Sequence, residues 1–444
     1  MTVQEGSKLK ADLSNWDKED PERWSSKRAW LTLSVSTYSM IIAFCVWFLV
    51  SAIAPKLNAI GFDLSKAQLY WLTALPGLSA GIFRLIYMVL PPMIGTRKLV
   101  GISSALFIIP MMGWYFAVQN PDTPYWWMLI LSLMCGIGGG SFSGYMPSTG
   151  YFFPKKQSGT ALGIQAGVGN FGMSIIQIVG PWLMGFGLLG LGAVAPQRTA
   201  AGEAVWVHNV AIVFVPWAVL AVILAFTLLK DVPVHANFRE QMDIFSNKNT
   251  WYMMALYVMT FGLFAGFSAQ FGLLINNTYG NASQFAGQFD NLPEGITYAF
   301  LGPLISSAVR VVWGPLCDKF GGAIWTFVSV VGMSVSLLVC TFFLNPSSPD
   351  AFTGFLWAMI AMFFFSGIGN AGTFKQMPMI MPARQAGGAI GFTAAIASFG
   401  PFIVGAALTA MSAHTWFIIC TIYGLFCAVI CWRLYARPGA PFPG

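Results

Sequence analysis

PKKQSGTALG at 154–163 and PARQAGGAIG at 382–391 carry one pattern twice. At a constant offset of 228 residues, Gly159, Ala161, Gly163 and Gly172 fall on Gly387, Ala389, Gly391 and Gly400. Working outward, Arg84 and Arg310 stand 226 apart, and each is followed eleven residues on by a glycine, Gly95 and Gly321. Met146–Pro147 recurs as Met377–Pro378. A chain that matches itself over half its length is built from two copies of one unit, a common plan in membrane carriers.

Composition says where those units live. Of 444 residues 56 % are hydrophobic and only 9 % charged, and mean hydropathy is +0.67. A soluble domain carries roughly 25 % charged residues, so soluble enzymes, nucleic-acid binders and disordered chains are excluded together. The net charge of +7 reads as topology, with no nucleic-acid partner. Cys45, Cys135, Cys340, Cys420, Cys427 and Cys431 lie in apolar runs and read, with Cys317, as inert thiols without a CxxC pair. His208, His235 and His414 have no metal-ligand spacing, so neither metal nor cofactor is expected. No cleavable signal peptide is evident in the polar first 28 residues.

A membrane-crossing helix needs about 20 mostly apolar residues. Numbered in chain order, candidate spans 1 to 12 lie at 29–53, 67–94, 99–118, 125–152, 160–189, 206–229, 251–276, 297–316, 323–344, 352–381, 386–412 and 415–436. With the N-terminus inside, 17 lysines and arginines fall in cytoplasmic segments, against three outside (Lys56, Lys66 and Arg198). The expected fold is thus an all-α membrane protein with two pseudo-symmetric six-helix bundles, 29–229 and 251–436. A cytoplasmic segment at 1–28, a linker at 230–250 and a tail at 437–444 complete it. Both termini are cytoplasmic, the lipid bilayer is the obligatory partner, and a monomer in the cell (inner) membrane is expected.

Three cations, Arg84, Arg310 and Lys375, fall inside spans, and no acidic residue sits well inside one. A lone charge at the bilayer centre costs roughly 2.5–3.5 kcal/mol on insertion scales. Arg84 lies about eleven residues, roughly 16 Å, from its cytoplasmic helix end, too deep to reach water readily. Spans 2 and 8 are equivalent, so both guanidiniums should face one central path. At an assumed ~7 Å and an effective dielectric of ~20 they repel by roughly 2 kcal/mol. An anion ~4 Å from each gains roughly 4 kcal/mol per contact before desolvation. The sign favours a bound anion over a water-lined structural pair. For Lys375, snorkelling at a cytoplasmic helix end and a place on the path are both open readings.

Glycines form a second constellation: Gly163, Gly167, Gly169 and Gly172 in span 5, and Gly136, Gly138, Gly139 and Gly140 in span 4. Small residues allow close helix approach, which serves plain packing and sliding equally. GVGNFG (167–172) is no phosphate loop, having neither a preceding strand nor a following Lys-Ser/Thr.

GPLCDKFGG (314–322), between spans 8 and 9, resembles the GxxxD(R/K)xG loop of the major facilitator superfamily, with Gly314, Asp318, Lys319 and Gly321 in place. The matching first-half segment, PPMIGTRK (91–98), lacks the aspartate. Within that superfamily the chain resembles the nitrate/nitrite porter family over nearly its whole length. WDKEDPERW (16–24) is similar to the lead-in, FCVWFLVSAIAPKLNAIGF (44–62) to the first span, and ALGIQAGVGNFGMS (161–174) to the first signature. GIGNAGTFKQMP (367–378) and GGAIGFTAAIASFG (387–400) cover the region of the second, though with fewer glycines. LTALPGLSAGIFR (72–84) and FLGPLISSAVR (300–310) end on what the resemblance makes the two substrate arginines. It further implies that Arg84 and Arg310 clamp nitrate or nitrite, that Asn170 and Tyr257 donate hydrogen bonds, and that Phe142 and Phe261 sandwich the flat ion. Guanidinium forks give in-plane donors and aromatic rings cover faces, which suits a planar anion. The loop at 276–295 is long for the family.

The expected function is nitrate/nitrite exchange by alternating access. Nitrate–proton symport, an anion channel and a membrane sensor are the alternatives. No nucleophile–base pair or metal cluster lies in the spans, so no enzyme is expected.

Overall fold

The computed structural model describes residues 13–187, 195–199, 202–233 and 242–442. Twelve helices among them are long and apolar enough to cross a membrane: helices 1 (Ser26–Trp47), 2 (Lys66–Tyr87), 3 (Leu90–Ala117), 4 (Tyr125–Gly150), 5 (Lys155–Leu183) and 6 (Asn209–Leu228) in one half. Helices 7 (Lys248–Thr278), 8 (Gly295–Phe320), 9 (Gly322–Thr341), 10 (Pro349–Ile380), 11 (Gln385–Ala410) and 12 (Ala413–Ala436) form the other. A short antiparallel ribbon pairs Gln197–Arg198 with Ala204–Val205 between helices 5 and 6. Residues 1–12, residues 234–241 of the linker expected at 230–250, and 443–444 lie outside the described residues.

Local chemistry sets the helix ends. Ser65 and Gln68 form a reciprocal capping box at helix 2, and Ser25, Asn247 and Ser412 cap helices 1, 7 and 12. Helix 7 contains a π-helical turn at Val258–Gly262, and helix 11 breaks at Ser398–Phe399 before Gly400–Pro401. The segment GPLCDKFGG is less a loop than the last turns of helix 8, which runs to Phe320. The connection itself is Gly321 at φ +85°, and its repeat partner Gly95 takes φ +79°, ψ +166° within helix 3. Both need glycine, because side chains are excluded from that region.

The aspartate missing from PPMIGTRK is replaced in space by Asp231, from beyond helix 6. Its buried carboxylate packs on Gly95, its Oδ1 accepts the Arg97 backbone N–H at 2.9 Å, and its backbone carbonyl accepts from Leu13. The polar N-terminal segment is a strap across the turn between helices 4 and 5. Trp16 and Trp24 donate their indole N–H groups to the Tyr151 and Phe152 carbonyls, and Glu19 Oε1 accepts the Lys155 N–H.

With twelve spans the described chain enters the first and leaves the last at one end, the terminal end; the opposite end is the far end. Hydrogen bonds joining the halves gather toward the far end. Lys56 pairs with Glu294 at 2.8 Å, Thr73 donates to Gln270 at 2.5 Å, and Gln177 donates to the Ser268 carbonyl at 3.0 Å. The long loop at 276–295 thereby gains a structural role, since it delivers Glu294. Toward the terminal end, Gly159, Gly163, Gly314 and Gly387 face open space. Met88, just past helix 2, packs on Gly391 of helix 11, so the halves also touch on the terminal side of Arg84.

Candidate functional site

Arg84 lies in the last turn of helix 2, eleven residues before the break at Gly95, and is wholly buried. Its Nε donates to the Gly139 carbonyl at 2.9 Å and its Nη1 crosses to the other half, to the Ala394 carbonyl at 3.0 Å. Its Nη2 has no partner. Rings surround its guanidinium, with centroids at 4.6 Å for Phe142, 5.5 Å for Phe261 and 5.7 Å for Trp47. Among the described residues neither Arg84 nor Arg310 pairs with a carboxylate. The charge is held by carbonyl dipoles and ring faces, each ring worth about 0.5–2 kcal/mol. An unmet buried N–H costs about 1–3 kcal/mol. That cost disappears when an acceptor arrives.

Arg310, on helix 8, is 7 % exposed, with its Nη1 unpartnered and the Phe374 ring 5.1 Å away. The two guanidiniums feel each other electrostatically, and Tyr257 lies in the field of both. The Tyr257 hydroxyl is buried without a partner, and its ring stacks on Phe261 at 5.2 Å. Asn170, 1 % exposed on helix 5, leaves both amide atoms unpartnered. One turn before it Gly167 packs on Val311, the neighbour of Arg310, so the face of helix 5 that carries Asn170 is directed toward helix 8. Arg84, Arg310 and Tyr257 lie together here, Asn170 stands on the helix 5 face directed toward helix 8, and all four keep unused hydrogen-bonding capacity. Such a set suits a small anion with oxygen acceptors.

Phe142 and Phe261 flank the Arg84 guanidinium itself, so a planar ion bound in its fork would extend the same stack. Gly139 and Gly140 admit Trp47, Ala80 and Phe83, while Gly169 and Gly172 admit Met40, Ile41 and Phe44. These glycines sit at tight helix contacts; Gly163 does not, for it borders open space.

The structure corrects one premise about Lys375. Its ammonium has a carboxylate partner, Asp318, and the two side chains are 41 % and 64 % exposed. Helix 10 carries Lys375 toward the terminal end, beside the last turns of helix 8, where Lys319 lies over the Phe320 ring. Of its two readings, the helix end is where it stands. Phe374, Trp47 and the carbonyls of Gly139 and Ala394 were not singled out from the sequence. The recurrence of Met-Pro at 146–147 and 377–378 would have flagged the helix 10 segment as the counterpart of GIGGGSF in helix 4.

The Major Facilitator Superfamily model matches residues 37–374. The chain is 49 % identical to the probable nitrate/nitrite antiporter NarK2 of Thermus thermophilus, covering 97 % of this chain and 98 % of that one. It is 32 % identical to the nitrate/nitrite transporter NarU of Salmonella typhimurium, over 98 % and 99 % of the two chains. Among solved structures it is similar to the inward open conformation of the xylose transporter XylE from E. coli. There the TM-score is 0.67 at 15 % identity, over 91 % of this chain and 96 % of that one.

Proposed function

This chain belongs to the nitrate/nitrite porter family of the major facilitator superfamily, a family of transporters rather than enzymes, and on that premise we propose that it exchanges nitrate for nitrite by alternating access. As a secondary transporter of nitrate and nitrite it must offer one site to two sides of the membrane in turn. The observation that carries the proposal is the pair of buried arginines, Arg84 and Arg310, each with an unpartnered N–H group and without a carboxylate. The anion completes the pair. Asn170 and Tyr257 add donors, while Phe142 and Phe261 cover the faces.

The excess of lysine and arginine on the terminal side supports placing that end in the cytoplasm of a multi-pass inner-membrane protein. Lys56–Glu294 and Thr73–Gln270 then close the outer side. Without an anion the two buried guanidiniums keep their mutual repulsion through the passage between sides, which disfavours an empty return. Proton symport requires a titrating carrier at that site. Lys375, the side chain suggested for it, is exposed near the terminal end and paired with Asp318.

Counterflow in proteoliposomes tests this. External nitrate should enter vesicles loaded with nitrite or nitrate far faster than vesicles loaded with chloride. Equal entry into all of them would point to a channel.

A further inference from the structure

Outside this set, Asn370 and Gln376 are buried amides with both polar atoms unpartnered, and of the two Asn370 is the one level with Arg310. It is 0 % exposed, and both its amide nitrogen and its amide oxygen lack hydrogen-bond partners. Its place relative to Arg310 follows from helix register. Helices 8 and 10 run in the same direction, and Ser306 and Ser366 share a hydrogen bond of 2.9 Å. Four residues further along each helix, about one turn, Arg310 and Asn370 come level. Phe374, the next residue on the Asn370 face, closes over the Arg310 guanidinium at 5.1 Å and meets the Tyr257 ring at 6.0 Å. Asn370 therefore stands at the wall of the anion chamber, one turn nearer the far end than Phe374.

The repeat sharpens this. The Met-Pro match aligns Asn370 with Gly139, whose carbonyl anchors Arg84 Nε. The first half holds its arginine with a backbone acceptor; the second half has a side-chain amide at the equivalent place. Arg310 Nη1 and Asn370 Oδ1 are a donor and an acceptor, both buried and both unmet.

Resting on the anion clamp proposed above, we infer that Asn370 is a specificity-determining residue that favours nitrate over nitrite. In the loaded chamber its Oδ1 accepts from Arg310 Nη1 and fixes the guanidinium plane. Its Nδ2 donates to an anion oxygen on the Arg310 side of the site. Nitrate has three oxygens around its nitrogen and nitrite has two, so an added in-plane donor finds an acceptor on nitrate that nitrite lacks. That donor discriminates between them, and an amide with a neutral dipole does so without adding charge.

The test is KM and kcat for nitrate and for nitrite, measured by counterflow with the full chain in proteoliposomes, for Asn370→Ala, Asn370→Asp and Arg310→Lys. Asn370→Ala should raise the nitrate KM about tenfold and the nitrite KM less than threefold, with kcat within about twofold of the parent. Asn370→Asp should pair with Arg310 and repel anions, so that uptake of both falls at least tenfold while the melting temperature is kept or raised. A parental nitrate-to-nitrite KM ratio in Asn370→Ala, or parental uptake by Asn370→Asp, would overturn the inference. So would equal loss for both ions with lowered melting temperatures in both variants, which assigns the amide to packing. Arg310→Lys separates the two layers. Normal nitrate uptake there removes the clamp itself, whereas loss there with an unchanged ratio in Asn370→Ala removes only the role of Asn370.

Discussion

Arg84→Lys keeps the charge and removes the fork. In the structure Arg84 spends Nε on Gly139 and Nη1 on Ala394, leaving Nη2 to receive an acceptor. A lysine ammonium at this depth has three donors at one point. It can follow the carbonyls or the anion, but it cannot span two carbonyls about one guanidinium apart and still face the chamber. Hydrogen bonds to charged groups contribute about 1.5–3 kcal/mol each, and loss of one such bond to the anion corresponds to roughly a 10- to 150-fold weaker KM. The planar stacking on Phe142 and Phe261 is lost as well, so the upper part of that range is expected. Counterflow of nitrate against internal nitrite, at equal protein incorporation and fixed pH, reads the effect directly. Nitrate KM within about threefold of the parent in both Arg84→Lys and Arg310→Lys would refute the geometric argument, since charge alone would then suffice.

Three other outcomes follow from the same geometry. Phe142→Ala and Phe261→Ala each remove a ring worth about 0.5–2 kcal/mol beside Arg84, so chloride and sulfate should compete with nitrate measurably better than in the parent; unchanged competition would contradict a role in choosing flat ions. Lys375→Gln breaks an exposed ion pair worth at most about 1 kcal/mol, so at least half of the exchange rate should remain, whereas its abolition would return Lys375 to the path. Gly95→Ala places a side chain in a glycine-only conformation costing about 1–3 kcal/mol and displaces Asp231; it should lower the melting temperature in detergent clearly, while Gly163→Ala, which meets open space, should leave it within a degree or two or raise it.

The spans and the repeat were legible because their signals are local: apolar length, charge asymmetry, and Gly and Pro at fixed offsets. Arg84 and Arg310 were legible for the same reason, because a charge within 20 apolar residues needs no tertiary context to stand out. What escaped was set by long-range packing. Asp231 follows the aspartate-less PPMIGTRK by more than a hundred residues, and only the fold brings its carboxylate onto Gly95. Lys375 was judged by the apolar run containing it, yet Asp318 from helix 8 comes alongside and gives it a partner near the chain's terminal face. The Ala394 carbonyl that receives Arg84 leaves no trace in sequence at all, since any residue can supply a carbonyl.

The account turns on one claim, that a bound anion is what allows two facing arginines to change sides. Its most direct measurement is nitrate uptake into liposomes loaded with nitrite, with chloride or with buffer alone, each at fixed pH and again under an imposed pH gradient. The account predicts fast uptake only with internal nitrite or nitrate, unaffected by the gradient. Nitrate accumulation in chloride-loaded or empty vesicles that follows the pH gradient would contradict it.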